Sequence, residues 1–449
     1  MSALPRAVDT AVSATGDAVF AAAFADADAG RLTEALEGLA AGLAIAPGNL
    51  AARTRLGLIQ RSLGDLDAAL LSFEQVHAAA PTADSARLNL ALALDEAGLQ
   101  ARALALLEDA HQLLRASPQA RAMAAPVLLR AGDYRRGFKF YEARWDIADP
   151  RQKMRSYPQP LWHGEPGDGQ KLLLWHEQGL GDTLMAIRLA AAASGRGFAV
   201  LADVQPALRR LLATVPGVGA VCTGDSGDEQ FDLHAPLLSL PHLLGIEAAA
   251  AGHGVPYLSA PDALLQKWRR LLPPSAKFRI GLAWRSSVYR DDLLVTKSKM
   301  EKSMPLAALR PFGALSGVEL VSLQVADGAD ETGSVGGMRL TDHTAQIEDM
   351  ADTAALIAQL NLVVSIDTSV AHLAGGMGKP LLVLLKSDTD WRWIAGTLNS
   401  PWYRHALPFC QGARGDWRAP VAAASAAARQ LAAARRPGPW WRRWTGSVR

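Results

Sequence analysis

The stretch Leu50–Ala83, LAARTRLGLIQRSLGDLDAALLSFEQVHAAAPTA, is one copy of a unit that recurs every 34 residues, and its reading decides how the first third of the chain folds. Its Gly64 stands in a column with Gly30, Gly98 and Gly132. Small residues lie seven positions before each glycine (Ala23, Gly57, Ala91, Ala125) and five after it (Ala35, Ala69, Ala103, Gly137), while Pro47 and Pro81 follow by seventeen. Three further glycines in register would arise by chance roughly once in a thousand starts, so the period is real. Apolar spacing predicts two helices per unit: Leu50 to Leu63 and Asp67 to Ala80, then Asp84 to Ala97 and Ala101 to Leu114. Glycine ends the first helix of each pair, and the small residues let the pair approach closely.

This pattern resembles the tetratricopeptide repeat over about residues 16 to 148, with three good copies and a degenerate fourth. The fourth has Pro126 inside its first helix and Gly137 where alanine stood, which predicts a kink and a role as cap against the next domain. Stacked repeats of this type offer a concave face suited to an extended peptide. First-helix positions Arg53, Gln60, Arg87 and Asn89 are the expected lining, a polar set able to hold a protein acceptor. A spacer or a dimerisation surface is the alternative use of such an array.

The chain has 449 residues, with 46 Lys and Arg against 44 Asp and Glu. Seven of the arginines lie at or after Trp417, where there is no acid, so the body before it is mildly acidic. That balance argues against nucleic acid as a partner. Two cysteines, Cys222 and Cys410, exclude a disulfide framework and suit a reducing compartment. No apolar run reaches membrane-spanning length and the N-terminus lacks a secretory pattern, so a cytoplasmic protein is expected.

All 12 tryptophans lie at or after Trp145, so the solenoid, residues 1–148, and the remainder are different kinds of structure. Residues 149–170, rich in proline and glycine, read as a linker. Beyond it short apolar runs alternate with helical segments: Lys171 to Trp175, Phe198 to Ala202, Phe231 to His234, Arg279 to Trp284, Glu319 to Leu323, Leu362 to Ile366 and Leu381 to Leu385. Such alternation implies parallel sheets with helical crossovers. A proline-rich break near Leu272 to Ser275 divides two lobes, 171–272 and 273–425, before a basic tail, 426–449.

Ligands of open α/β sheets sit at the carboxyl ends of strands. The first loop there is Glu177-Gln178-Gly179-Leu180-Gly181-Asp182-Thr183, whose glycines allow a tight turn and whose helix start favours an anion. Asp182 lies at that helix mouth, and a helix-capping carboxylate is its other reading. The second is Ser365-Ile366-Asp367-Thr368-Ser369-Val370-Ala371-His372. Thr368 and His372 share a helix face, and the unpaired amides of Thr368 to Val370 suit a diphosphate. Its bland alternative is Asp367 as the helix cap with a structural His372.

Together the loops resemble the inverting glycosyltransferases of the lipopolysaccharide heptosyltransferase type, family 9-like enzymes with two facing Rossmann-like lobes, the GT-B fold. Ile280-Gly281-Leu282-Ala283-Trp284, Lys302-Ser303-Met304-Pro305-Leu306 and Val321-Ser322-Leu323-Gln324 match C-lobe segments in similar order, and the resemblance spans about residues 157 to 425. Ser369 stands where that family usually has glycine, and Tyr289 to Met300 is an inserted-looking departure. The expected fold is therefore an N-terminal all-α tetratricopeptide solenoid plus a C-terminal α/β GT-B-like module. By resemblance Asp182 is the general base. Gly179, Gly181, Thr183, Asp367, Thr368, Ser369 and His372 bind the donor, with Arg285 and Lys302 as counter-charges.

What the resemblance implies is a metal-independent, inverting transfer of sugar from a nucleotide-sugar donor, with no other cofactor, to a protein selected by the repeats, as in bacterial flagellin glycosyltransferases. A non-catalytic scaffold with a degenerate transferase domain is the alternative. Asp388-Thr389-Asp390 has a manganese-type spacing but precedes Trp391-Arg392-Trp393 and is set aside, so no metal is expected. The tail from Arg435 to Arg449 pairs three tryptophans with five arginines, which suits either peripheral contact with an anionic membrane or a solvated terminus.

Overall fold

The computed structural model describes residues 18–147, 154–224, 230–247, 255–286, 300–333, 335, 337–394 and 400–434. Most of the inserted-looking Tyr289 to Met300 stretch and the Arg435 to Arg449 tail lie outside these. The described residues fall into two compact units, one within Met1–Ala131 and Ala143–Ala148, the other within Gly132–Glu142 and Asp149–Arg449.

The first unit is a series of antiparallel helices: α1 (18–28), α2 (Leu32–Ile45), α3 (Leu50–Leu63), α4 (Leu66–Ala79), α5 (Asp84–Glu96), α6 (Gln100–Asp109), α7 (His111–Ala116) and α8 (Pro118–Arg130). All four glycines of the 34-residue column have positive φ, between 76° and 87°. A Cβ on Gly30, Gly98 or Gly132 would meet nothing within 4 Å, so backbone conformation rather than crowding selects glycine there. At Gly57 the reason is the opposite: a Cβ would stand 2.8 Å from the Phe73 ring, so the missing side chain makes room for an aromatic of the facing helix. Ala35, Ala69, Ala91, Ala103 and Ala125 are fully buried, which explains the small-residue columns. Side-chain oxygens of Asn49, Asp65 and Ser117 cap α3, α4 and α8.

The helix expected over Ala101 to Leu114 is broken at Ala110. Two groups on α5 account for the break: Arg87 donates to the carbonyl of Asp109 at 2.9 Å, and the carboxylate of Asp84 accepts the Leu113 N–H at 2.8 Å. They satisfy backbone groups that an uninterrupted helix would pair internally. The α8 helix continues through Pro126 to Arg130.

In the second unit, α9 (Tyr134–Tyr141) precedes two parallel sheets. The first, in the order β3-β2-β1-β4, uses β1 (Lys171–Trp175), β2 (Ala199–Asp203), β3 (Ala220–Cys222) and β4 (Leu233–Pro236). The second, in the order β10-β9-β8-β5-β6-β7, uses β5 (Phe278–Ala283), β6 (Val318–Ser322), β7 (Leu340–Thr341), β8 (Leu362–Ile366), β9 (Leu381–Leu385) and β10 (Ala406–Cys410). Strands β8 and β9 are buried at every position, as continuous apolar strands covered on both faces must be. Crossover helices include α10 (Leu180–Ala186), α12 (Met350–Ala358) and α13 (Ser369–Gly376), while α11 (Asp262–Leu271) lies between the two sheets in sequence and α14 (Arg418–Ala434) follows the last strand. Two parallel, helix-covered sheets in succession make the unit GT-B-like.

A buried carboxylate ties these lobes together. Asp352 on α12 accepts Lys267 Nζ and Trp268 Nε1, both from α11 and both at 2.8 Å, and Arg210 Nη2 of the first lobe at 2.7 Å. Burial pushes its pKa up, but these bonds outweigh burial and hold it below the ordinary carboxylate value.

Replacing Gly98 by alanine should lower the stability of the repeat unit by about 1–2 kcal/mol, the cost of a left-handed residue with a Cβ. Gly48→Ala, at a site with ordinary φ and open space, should change it by less than about 0.5 kcal/mol. Urea midpoints followed by far-UV circular dichroism compare the two.

Candidate functional site

Strand β1 ends at Trp175, and the loop after it is pinned on three sides. Glu177 Oε1 accepts the Leu238 N–H at 3.0 Å, Gln178 Nε2 donates to the Tyr141 hydroxyl at 2.7 Å, and Gln205 Nε2 donates to the Gln178 carbonyl at 2.8 Å. Gly179 then caps α10, and Asp182, three residues on, accepts its N–H through Oδ2 at 3.0 Å. The capping reading of Asp182 is thus correct for one oxygen, and the Gly179 amide is taken by protein rather than left for a ligand. Asp182 Oδ1 accepts Arg392 Nη2 at 2.5 Å. Thr183 is buried at 2% exposure. A Cβ on Gly181 would lie 2.7 Å from Cδ2 of His372, so glycine here permits α10 and α13 to touch.

Strand β8 runs into the second loop, where the cap of α13 is Thr368 and not Asp367. The alternative reading of Asp367 as the cap of this helix is therefore ruled out: its carboxylate points elsewhere, accepting Trp393 Nε1 at 2.8 Å and Lys302 Nζ at 3.3 Å. The Thr368 hydroxyl pairs with that of Ser365 at 3.0 Å, leaving the helix without a side-chain cap. Ser369 and Val370, as its first residues, have backbone N–H groups with no intrahelical acceptor. His372 is buried, with Nδ1 at 2.9 Å from the Tyr403 hydroxyl and Nε2 at 3.8 Å from Asp367. Burial pushes the His372 pKa down to about 4 against the pull of Asp367. For Asp367, burial opposes ionisation, but Lys302 and His372 with the Trp393 bond hold its pKa at about 2. At neutral pH the pair is a carboxylate beside a neutral imidazole.

The segment between Asp388 and Tyr403 supplies what sequence reading missed. Arg392 bridges Asp182 and Asp390, its guanidinium 4.2 Å over the Trp391 ring, and Trp393 next to it reaches Asp367. Asp390 thus serves arginine, and Asp388 pairs with Lys386 at 2.8 Å. Arg188 of the first lobe donates to the Trp402 carbonyl at 2.8 Å and the Tyr257 hydroxyl at 3.0 Å. Against the far side of this segment lies α9: Tyr134 stacks on Trp402 at 5.6 Å, and Phe138 meets the edges of Trp391 and Trp402 at 5.5 and 6.1 Å. The density of aromatics from Trp391 to Tyr403 was the available signal.

Of the other expected residues, Lys302 joins the cluster, whereas Arg285 pairs with Glu331, which also accepts the Leu306 N–H at 2.7 Å. In the repeats Arg53 bonds Gln75 and the Pro47 carbonyl, Gln60 accepts the Ser72 hydroxyl, and Arg87 bonds Asp84. These three side chains therefore brace the repeats, and Asn89 is half-buried on α5. Among the described residues no group of three or more His, Cys, Asp or Glu side chains could hold a metal ion, and no helix is long and apolar enough to cross a membrane.

Two outcomes follow from burial. The unfolded His372 imidazole protonates near 6.5 and the folded one near 4, so the unfolded state binds more protons between these values. Stability should then fall by up to about 3 kcal/mol as pH drops through that window, and fall further below it as Asp367 is protonated. His372→Gln should flatten the limb between pH 6.5 and 4 in urea titrations. Phe138→Ala, which empties a fully buried aromatic site, should cost about 3–5 kcal/mol, read from tryptophan fluorescence during unfolding.

No family model matches the chain. Protein FlbA of Caulobacter vibrioides is 26% identical over 436 residues, which cover 90% of this chain and 71% of that protein. Among solved structures, the glycosyl transferase family 9 protein of Veillonella parvula aligns with a TM-score of 0.42 and 11% identity over 56% of this chain and 88% of its own. A tetratricopeptide repeat protein of Parabacteroides merdae aligns at 0.26 and 21% identity over 30% of this chain and 54% of its own. MamA of Desulfovibrio magneticus aligns at 0.26 and 20% identity over 28% and 72%. The chain is thus similar to FlbA over most of its length, and it joins a tetratricopeptide-type helical array to a GT-B-like α/β module.

Proposed function

We propose that the α/β unit transfers a glycosyl group from a nucleotide-sugar donor to an acceptor hydroxyl, without a metal, and that the repeats select a protein acceptor. The observation that carries this reading is the approach of the loop after β1 to the helix after β8: Gly181 lies against the His372 ring of α13, and Asp182 beside it is held by Arg392. In this mechanism Asp182 takes the proton of the acceptor hydroxyl as its oxygen forms a bond to the anomeric carbon. The bond from that carbon to the phosphate oxygen breaks, and the nucleoside diphosphate leaves with the electron pair. One displacement inverts the anomeric centre. The amides of Ser369 and Val370 and the ammonium of Lys302 offset the charge that develops on the leaving group. Neutral His372 positions this helix start through its bond to Tyr403. A chain with only two cysteines suits a reducing, cytoplasmic setting.

A scaffold reading has one specific observation in its favour: both oxygens of Asp182 are occupied by protein donors. Turnover separates the two. Asp182→Asn should reduce glycosyl transfer at least about a hundredfold, measured with a panel of sugar nucleotides. Equal rates for parent and variant would remove the base assignment, and a parent that binds no sugar nucleotide at millimolar concentration would favour the scaffold. A truncated protein beginning at Gly132, which keeps α9, should bind donor but lose protein glycosylation. Beginning at Arg151 instead would strip Tyr134 and Phe138 from Trp391 and Trp402 and damage the donor site as well.

A further inference from the structure

Arg392 is nine-tenths buried, and each edge of its guanidinium has a defined situation. Nη1 is 2.7 Å from Asp390, which also accepts the Arg392 backbone N–H at 3.0 Å. Nη2 is on Asp182. Nε is buried and has no hydrogen-bond partner among the described residues. Trp391 covers one face, so the plane is held while the edge donors stay directed. An unused donor in such a place costs free energy unless a ligand takes it up.

The charges in this cluster do not balance. Asp182, Asp390 and Asp367 face Arg392 and Lys302, with His372 neutral. A diphosphate entering beside α13 adds negative charge to a site already short of cations, and each cation there is committed to a carboxylate. Asp182 has its own conflict. Oδ2 holds the Gly179 amide in the helix cap, and Oδ1, the oxygen left to meet an acceptor hydroxyl, is covered by Arg392. Both conflicts are resolved by the same movement.

Building on the transferase reading above, we propose that Arg392 is a donor-operated latch: without ligand it covers Asp182, and the donor diphosphate draws its guanidinium away, binding the donor and uncovering the base together. Asp390 and Trp391 form the hinge side of the latch and stay in place. Donor then binds before acceptor, and the carboxylate is uncovered only when there is a sugar to transfer.

The test is calorimetric titration of the full chain with a panel of nucleoside diphosphates. Since Asp182 and the diphosphate compete for one guanidinium, Asp182→Asn should tighten nucleoside diphosphate binding by about fivefold or more while it slows transfer. Arg392→Gln should weaken binding by at least about tenfold, and Arg392→Lys, which keeps the charge without the fork, should fall between. The double variant should bind like Arg392→Gln alone, because the tightening from Asp182→Asn needs the arginine. Tightening that persists without Arg392, no tightening when Asp182→Asn is made alone, or Arg392→Gln and Arg392→Lys that bind as the parent does would overturn the latch while leaving the transferase reading intact. A parent protein that binds none of the panel at millimolar concentration would overturn both.

Discussion

The site exists because α10 and α13 can touch. Gly181 lacks the Cβ that would strike the His372 ring, and that absence brings a loop from one parallel sheet against a loop from the other. The contacts that join the two loops follow from this approach: Asp182 comes within reach of Arg392, and the His372 ring is covered by Gly181. A larger residue at 181 would hold the helices apart by the width of a methyl group. In a close-packed interior such a displacement cannot be absorbed by one side chain.

Burial then sets the electrostatics. His372 is pushed down to about pH 4 by loss of hydration, whereas Asp367, under the same loss, stays ionised near 2 because Lys302 and the Trp393 indole face it. Two adjacent groups therefore take opposite outcomes from one environment, and the difference lies in their partners. Arg188 and Asp352 show the same rule at other points between the lobes, each buried and each held by several hydrogen bonds.

The fate of the fourth repeat illustrates how a repeat array is ended. A terminal repeat has no following copy to cover its outer face. Here its second helix, α9, has Tyr134, Phe138 and Tyr141 along one side, and these pack onto Trp391 and Trp402 of the α/β unit. A helix that keeps the repeat's register in sequence thus belongs to the second unit in space, and it supports the segment that carries Arg392. Gly137, where the other copies have alanine, lies buried in that helix.

What the sequence determined by itself was whatever depends on neighbours along the chain. Four glycines at one period implied four left-handed helix ends, because conformation at a single residue is a local property. Apolar runs implied the buried strands β1, β8 and β9 at their observed limits, and the strand-to-helix turns carrying Asp182 and Asp367 followed from them. Short or interrupted strands escaped: β3 and β7 have few residues, and β10 contains Pro408, tolerated because it is an edge strand of its sheet. The break at Ala110 escaped too, since it depends on Asp84 and Arg87 of another helix. Only tertiary structure decided that Arg392 lies on Asp182, 210 residues away, and that Asp367 pairs with Lys302 instead of capping its helix. The reason is that a charge's partner is chosen by proximity and burial in three dimensions, and neither quantity is encoded in the spacing of residues along one segment.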